Sequence, residues 1–263
     1  MNTKLCRLVW RRSSSLSNKR SRFYEVPMEA RAVFIPMEQV YGIYLDKNYL
    51  VTPKRNPVKI SSEALALAVA KEWNMQKNEL RTNLMRLTGL IFTAIDNPIS
   101  DLLSQVLEFL DKDTILYRLE ENSKLLELEK RNWDPVVQWI NWEYEALIDS
   151  YSRTRLANQL SDYSFLQLIG LQYAIEALKS VFLTLATVSS RLHVDEAVGL
   201  ALLEQKYQSD IWGKVEWAHD IEREELISRL SAGVLLVHLG DSELEKETKS
   251  EGNKIMKNDA KSI

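Results

Sequence analysis

The apolar residues change period near Ser61-Ser62, and that change divides the chain's expected elements. Before it, short alternating or continuous apolar runs predict strands: Phe23-Tyr24 with Val26, then Val33–Ile35, then Val40 with Ile43–Leu45. Asp46-Lys47-Asn48 is a turn by its Asp and Asn, and Tyr49–Val51 is the returning strand. Pro53 and Pro57 end that pairing, because proline cannot donate to a ladder. Val58–Ile60 adds one more short strand.

From Ser61 the period becomes helical. Either serine can cap a helix whose apolar face is Ala64, Leu65, Leu67, Ala68, Val69 and Trp73. A polar connector at 77–83 leads to apolar Met85–Ile95, which stops at Asp96-Asn97-Pro98. Ile99–Leu110 is another helix, Thr114–Leu119 is ambiguous between a strand and a helix end, and Lys124–Arg131 is helical. Asp134-Pro135 reads as a fresh helix start, with Asp as cap and Pro at the first helical position. The segment 145–152 is the candidate boundary between subdomains. Helices alone follow: Thr154–Leu160, a long one over Phe165–Thr187, and Val194–Tyr207. Small residues Gly170, Ala174 and Ala177 allow close packing of the long one. In the last helix Leu226, Leu230, Val234 and Val237 share one face, widened by Ile227. The expected architecture is α+β, with a small β-rich N-terminal domain at 22–148 and a multihelical C-terminal domain at 149–240.

Charge changes the picture at both ends. Residues 1–24 carry Lys4, Arg7, Arg11, Arg12, Lys19, Arg20 and Arg22, five serines and no acid. Such a stretch, Arg- and Ser-rich and weakly amphipathic, is the profile of a mitochondrial transit peptide, expected over residues 1–21. Removing those seven charges from a net −3 leaves −10 for the remainder. An acidic body argues against nucleic acid or an anionic membrane as main partner. Residues 241–263 alternate Glu and Lys with few apolar residues, and a disordered tail is expected there. No apolar run approaches the ~18 residues that span a bilayer. The one cysteine, Cys6, lies in the expected leader and excludes an internal disulfide framework.

The usual constellations of catalysis are missing. There is no Gly-rich phosphate loop and no G-x-S-x-G elbow. Of the three histidines, His238 suits the negative end of an apolar helix and His193 falls in a turn. Glu216 and His219 have the spacing used by carboxylate-bridged di-iron bundles, but neither other histidine has a Glu three residues earlier. Trp73 and Trp139 lie on apolar helix faces and are expected in the core. Trp212 and Trp217 flank charged residues, so core and interface roles are both open for them. Acids at a helix start are explained by its positive end, which covers Asp220, Glu222, Glu224 and Glu225. Glu216 lies just outside that rule. The residues alone describe an interaction protein rather than an enzyme. Two rival readings stay open: a metal-dependent matrix enzyme using Glu216 and His219, and a permanent structural subunit of a matrix complex.

Several ordered blocks carry a resemblance. They are Tyr41-Gly-Ile-Tyr-Leu-Asp46, Leu50-Val-Thr-Pro53, Ser61–Trp73, Leu87-Thr88, Ala94-Ile-Asp-Asn-Pro98, Phe109–Asp113, Asn132-Trp-Asp-Pro135 and Trp212-Gly-Lys-Val-Glu-Trp-Ala-His-Asp220. Over roughly residues 22–239 the chain resembles the mitochondrial F1-ATPase assembly chaperones that handle the alpha subunit of ATP synthase. The resemblance implies the same α+β fold, no enzymatic activity, and no metal or nucleotide cofactor. It implies a matrix protein that binds unassembled alpha subunit, shields the surface that later meets the beta subunit, and leaves as the hexamer forms. Trp212, Glu216, Trp217 and Asp220 are the expected partner-binding set, Glu216 pairing with an Arg or Lys of the client. One departure is Met85-Arg86-Leu87-Thr88, where the family usually has Met-Pro-Leu-Thr.

Overall fold

The structure is a computed structural model and describes residues 29–99, 101–143, 150–213 and 215–240. The expected leader at 1–21, the strand at Phe23–Val26, most of the boundary segment at 145–152 and the tail at 241–263 lie outside the described residues. The rest is α+β, an antiparallel sheet followed by helices, as the sequence pattern requires. Contacts divide it into two compact units. One runs to Ile99 and takes in Leu239, and the other ends at His238.

In the first unit, β1 (Ala30–Ile35) and β2 (Val40–Leu45) form a hairpin in the register Ala30–Leu45 to Ile35–Val40. The short strands β3 (Asn48–Tyr49) and β4 (Lys59–Ile60) both pair with β2, so among the described residues β1 is an edge. Asp46 makes the tight β2–β3 turn with φ 55°, a left-handed conformation that aspartate tolerates. Helix α1 (Glu63–Asn74) starts where Ser62 accepts from Leu65 N–H and buries Leu65, Ala66, Val69, Ala70 and Trp73. Helix α2 (Arg86–Asp96) has no side-chain cap of its own. Glu72 of α1 replaces it, accepting from Leu87 N–H and Thr88 N–H at 2.8 Å each and from the Thr88 hydroxyl at 2.7 Å. Burial pushes the Glu72 carboxyl up, against the opposing pull of those hydrogen bonds. At the other end of α2, the buried Asp96 accepts from Asn56 Nδ2 at 2.9 Å and from the Thr52 hydroxyl, pinning the Pro53–Pro57 loop.

The second unit contains α3 (Leu102–Glu108), α4 (Ser123–Glu143), α5 (Ser150–Leu160), α6 (Phe165–Leu178), α7 (Val181–Val188), α8 (Val194–Ala201), α9 (Leu203–Trp212) and most of α10 (Ala218–Leu239). All of α7 is buried, the behaviour of a helix that is apolar all round. Thr114–Leu116, ambiguous by sequence, is a single 3-10 turn.

Three helix boundaries differ from the pattern. Asp134-Pro135 does not start a helix, because α4 runs through it. Leu125, Glu129, Trp133, Val136 and Ile140 form one buried stripe at helical spacing, and packing along that stripe outweighs the hydrogen bond that Pro135 cannot make. Asp134 instead holds Arg118 at 2.8 Å. The expected helix over 165–187 is broken at Lys179, which has φ 59°. Two side chains make the new start: Ser180 accepts from Leu183 N–H at 3.0 Å, and the buried Asp113 accepts from Phe182 N–H at 3.0 Å. The segment 194–207 likewise divides at Leu202 into α8 and α9.

Candidate functional site

Helix α10 is anchored before it is exposed. Its core face, Leu230, Ala232, Gly233, Leu236 and Val237, is buried, with Leu226, Ile227 and Val234 packed against the core. Gly233 crosses Gly170 of α6 so closely that a Cβ on Gly233 would lie 2.7 Å from the Gly170 carbonyl oxygen and 2.9 Å from the Ala174 Cβ. Only hydrogen side chains permit that approach. Gln167 closes the crossing: its Oε1 accepts from Ser164 N–H in the α6 cap at 2.8 Å, and its Nε2 donates to the Val237 carbonyl at 3.0 Å. Arg229 lies 5.2 Å from the centre of the Tyr173 ring, adding a cation–π contact between the same helices.

The other end of α10 follows a short turn from α9. Gly213 ends α9 with φ 94° and ψ 150°, a combination nearly confined to glycine. Trp217 then sits at the head of α10 with φ 69°, its carbonyl accepting from Ile221 N–H at 3.0 Å. A left-handed tryptophan has no local hydrogen bond of the kind that makes this conformation easy for Asn or Asp, so the turn holds it there against its preference. Two polar contacts join the helices beside the turn. Gln205 Nε2 donates to Glu222 at 2.6 Å, and the Ser209 hydroxyl lies 3.5 Å from His219 Nε2.

This turn brings the four expected partner-binding residues together. Trp212 is 79% exposed and Trp217 72% exposed, which places both tryptophans outside the core, and Glu216 and Asp220 are exposed beside them. Ile211, Val215 and Ile221 are each more than half exposed in the same turn. Sequence reasoning missed these three. For Ile221 a signal existed: at 100° per residue it lies opposite the buried Leu230, off the core stripe. The surroundings are acidic. Residues 207–225 hold six acids, Asp210, Glu216, Asp220, Glu222, Glu224 and Glu225, against two bases. One of those bases, Arg223, is engaged by Asp195 and Glu224 at 3.2 Å each. The surface therefore combines exposed apolar side chains with an excess of acids.

The remaining aromatic and histidine residues divide cleanly. Trp73 and Trp133 are buried, Trp139 packs against the core, and Trp133 Nε1 donates to the Leu200 carbonyl at 3.0 Å. Trp142, at the end of α4, is exposed. His238 occupies the last turn of α10, and His193 precedes α8 with its N–H donating to Glu196 at 2.9 Å. Among the described residues no group of three or more His, Cys, Asp or Glu side chains is placed to hold a metal ion. Also among them, no helix is long and apolar enough to cross a membrane.

Comparison with known proteins gives consistent results. Residues 21–141 match the family described as ATP12 chaperone protein. The Schizosaccharomyces pombe protein "Protein atp12, mitochondrial" is 31% identical over 220 residues, which cover 74% of this chain and 76% of that one. The crystal structure of Atp12 from Paracoccus denitrificans superposes with a TM-score of 0.72 at 22% identity, covering 81% of this chain and 96% of that one. The Atu1473 protein of Agrobacterium tumefaciens gives a TM-score of 0.75 at 24% identity, covering 81% of this chain and 84% of that one.

Proposed function

Because this chain belongs to the ATP12 chaperone family, we propose that it is an assembly chaperone of mitochondrial ATP synthase and not an enzyme. It holds the unassembled alpha subunit of F1 in the matrix, covers the surface destined for the beta subunit, and gives it up as the hexamer forms. The observation that carries this reading is the α9–α10 turn. Five large apolar side chains, Ile211, Trp212, Val215, Trp217 and Ile221, stand in water within one acidic turn and the helix ends beside it.

The physics of holding suits that surface. An assembly face left bare is partly apolar and aggregates, so a holder must offer apolar anchors. Tryptophan is the side chain most often found as such an anchor, being large and losing little entropy when fixed. Charges give orientation and encounter rate more than affinity. The acids of the turn therefore select a client face whose apolar centre is bordered by Arg or Lys. Trp212 and Trp217 supply contact area, Glu216 pairs with one client cation, and Asp220 contributes to the field at the helix start. Attachment through one turn is small enough to be reversible, as a chaperone requires. No nucleotide, metal or small-molecule substrate takes part.

The test is Glu216→Lys in the full chain. Glu216 is exposed, so circular dichroism and melting temperature are expected to match those of the unchanged protein. Losing one partner of a desolvated charge pair costs ~2–5 kcal/mol, and retention of free alpha subunit in a pull-down should fall accordingly. Normal folding with undiminished alpha-subunit capture would remove Glu216 from the contact. Size fractionation of mitochondrial extract separates a chaperone from a permanent subunit, since a chaperone is absent from finished ATP synthase.

A further inference from the structure

The first unit carries a second feature that the turn does not use, the edge of β1, which no strand of the described residues pairs. In an antiparallel hairpin, alternate residues bond to the partner strand and the ones between point their N–H and C=O outwards. Asp46 N–H donates to the Glu29 carbonyl at 2.8 Å, which fixes the phase. Arg31, Val33 and Ile35 then face β2, whereas Ala30, Ala32 and Phe34 face away from it. The structure already shows what that edge accepts. Asn74, the last residue of α1, takes the Ala30 N–H on its Oδ1 at 2.7 Å and donates from Nδ2 to the Ala30 carbonyl at 2.8 Å. Its amide thus imitates one rung of an added strand and closes the first position. Ala32 and Phe34 continue the edge beyond it.

The side chains around those two positions are apolar and exposed. Val33 is 42% exposed, Phe34 41% and Met37, at the hairpin tip, 95%. Leu67, 54% exposed, lies on the same side of α1 as Glu63 and Asn74. Glu63 accepts from the Tyr41 hydroxyl at 3.2 Å, and Tyr41 pairs with Phe34 across the hairpin, so that side of α1 runs along the sheet from Phe34 towards Ala30. Edges are usually blunted by charge or proline within the strand. Here Arg31 lies before the free positions and Pro36 beyond them, and nothing from Ala32 to Ile35 is charged.

We infer that the edge of β1 at Ala32 and Phe34 is a docking site for an extended apolar segment of the client, which adds to the sheet as a short extra strand. The inference rests on the reading that the chain holds an unassembled protein. Size decides the occupant. Two free rungs with four exposed side chains fall well short of the roughly 800 Å² per partner that a stable interface between copies buries. They suffice for a segment held weakly, in support of a second attachment, and such strand addition is a recurring way of binding extended peptide. Its main-chain hydrogen bonds supply affinity without demanding one client sequence. The flanking Leu67, Val33 and Met37 favour apolar side chains.

Ala32→Pro tests this, because it deletes the outward N–H while the β2 ladder, which Ala32 does not use, stays intact. The full-length chain, unchanged and carrying either Ala32→Pro or Glu216→Lys, is titrated with free alpha subunit, and amide hydrogen exchange is followed at Ala32 and Phe34. Losing one such hydrogen bond should weaken binding about five- to tenfold. In the unchanged chain the two amides should exchange rapidly alone and slowly in the complex. Should Ala32→Pro fail to fold, Val33→Lys and the exchange measurement on the unchanged chain decide instead. Binding that Glu216→Lys abolishes and Ala32→Pro leaves intact, with both amides still exchanging rapidly, overturns the edge alone. Protection in a client-free dimer gives the edge to a second copy and overturns the inference too. No binding by the unchanged chain overturns both this inference and the proposed function.

Discussion

Helix α10 is one continuous element of 22 residues, yet its two ends have opposite surroundings. From Leu230 to Val237 one face of it, Leu230, Ala232, Gly233, Leu236 and Val237, is buried, and its backbone meets that of α6 through Gly170 and Gly233. From Ala218 to Glu225 it is bathed in solvent, headed by a tryptophan in a left-handed conformation and surrounded by acids. The buried face of that end commits its residues to close approach. The open end places large apolar groups where folding alone gives them nothing. A rigid helix joins the two, so the open end inherits the position that the enclosed end fixes. The proposed site is held still by a part of the molecule that lies outside it.

That contrast breaks most readily at the enclosed end. Leu230→Ala removes a fully buried side chain from the core and should cost about 2–5 kcal/mol. Urea denaturation should show a lower midpoint with the slope retained. Gly233→Val tests the crossing itself. Its Cβ would have to displace backbone, since the nearest atom is the Gly170 carbonyl oxygen, and overpacking of this kind costs about 1–3 kcal/mol. If the melting temperature of Gly233→Val equalled that of the unchanged chain, the two helices would have to be farther apart than described.

How much of this could be read in advance differs between the two ends for a physical reason. The core stripe of α10 was legible because burial imposes a period, and Leu226, Leu230, Val234 and Val237 keep it. The partner to Gly170 was not, because a glycine's contact is set by what crosses it and leaves no trace in its own neighbourhood. The strands β1 and β2 were legible through their apolar runs, and the return from β2 to β3 through the Asp46 turn. The break at Lys179 was hidden. It has neither Gly nor Pro, and one of its two caps, Asp113, comes from far along the chain. Pro135 misled in the opposite direction, since local chemistry signals a helix start and the stripe from Leu125 to Ile140 overrides it. At the candidate site the four residues of the expected set were legible as an aromatic and acidic cluster. Their exposure was not, because whether a tryptophan is core or surface depends on which way the turn leaves α9, and Gly213 sets that.

The smallest expected change in stability sharpens the comparison most. Trp217 holds φ 69°, where an L side chain is disfavoured by roughly 1–2 kcal/mol and glycine is not. Its ring is 72% exposed, so removing it forfeits little packing. Trp217→Gly should therefore leave stability unchanged or raise it by up to about 1 kcal/mol, as relief of the turn offsets the greater freedom of glycine in the unfolded chain. Melting should follow that sign, whereas capture of free alpha subunit should fall, because an anchor is gone. A residue kept in the conformation that suits it least, and whose loss helps the fold while harming the holder, would be retained for binding. A fall of several degrees in melting temperature for Trp217→Gly would instead make the ring part of the fold and return this turn to the same class as the enclosed end of α10.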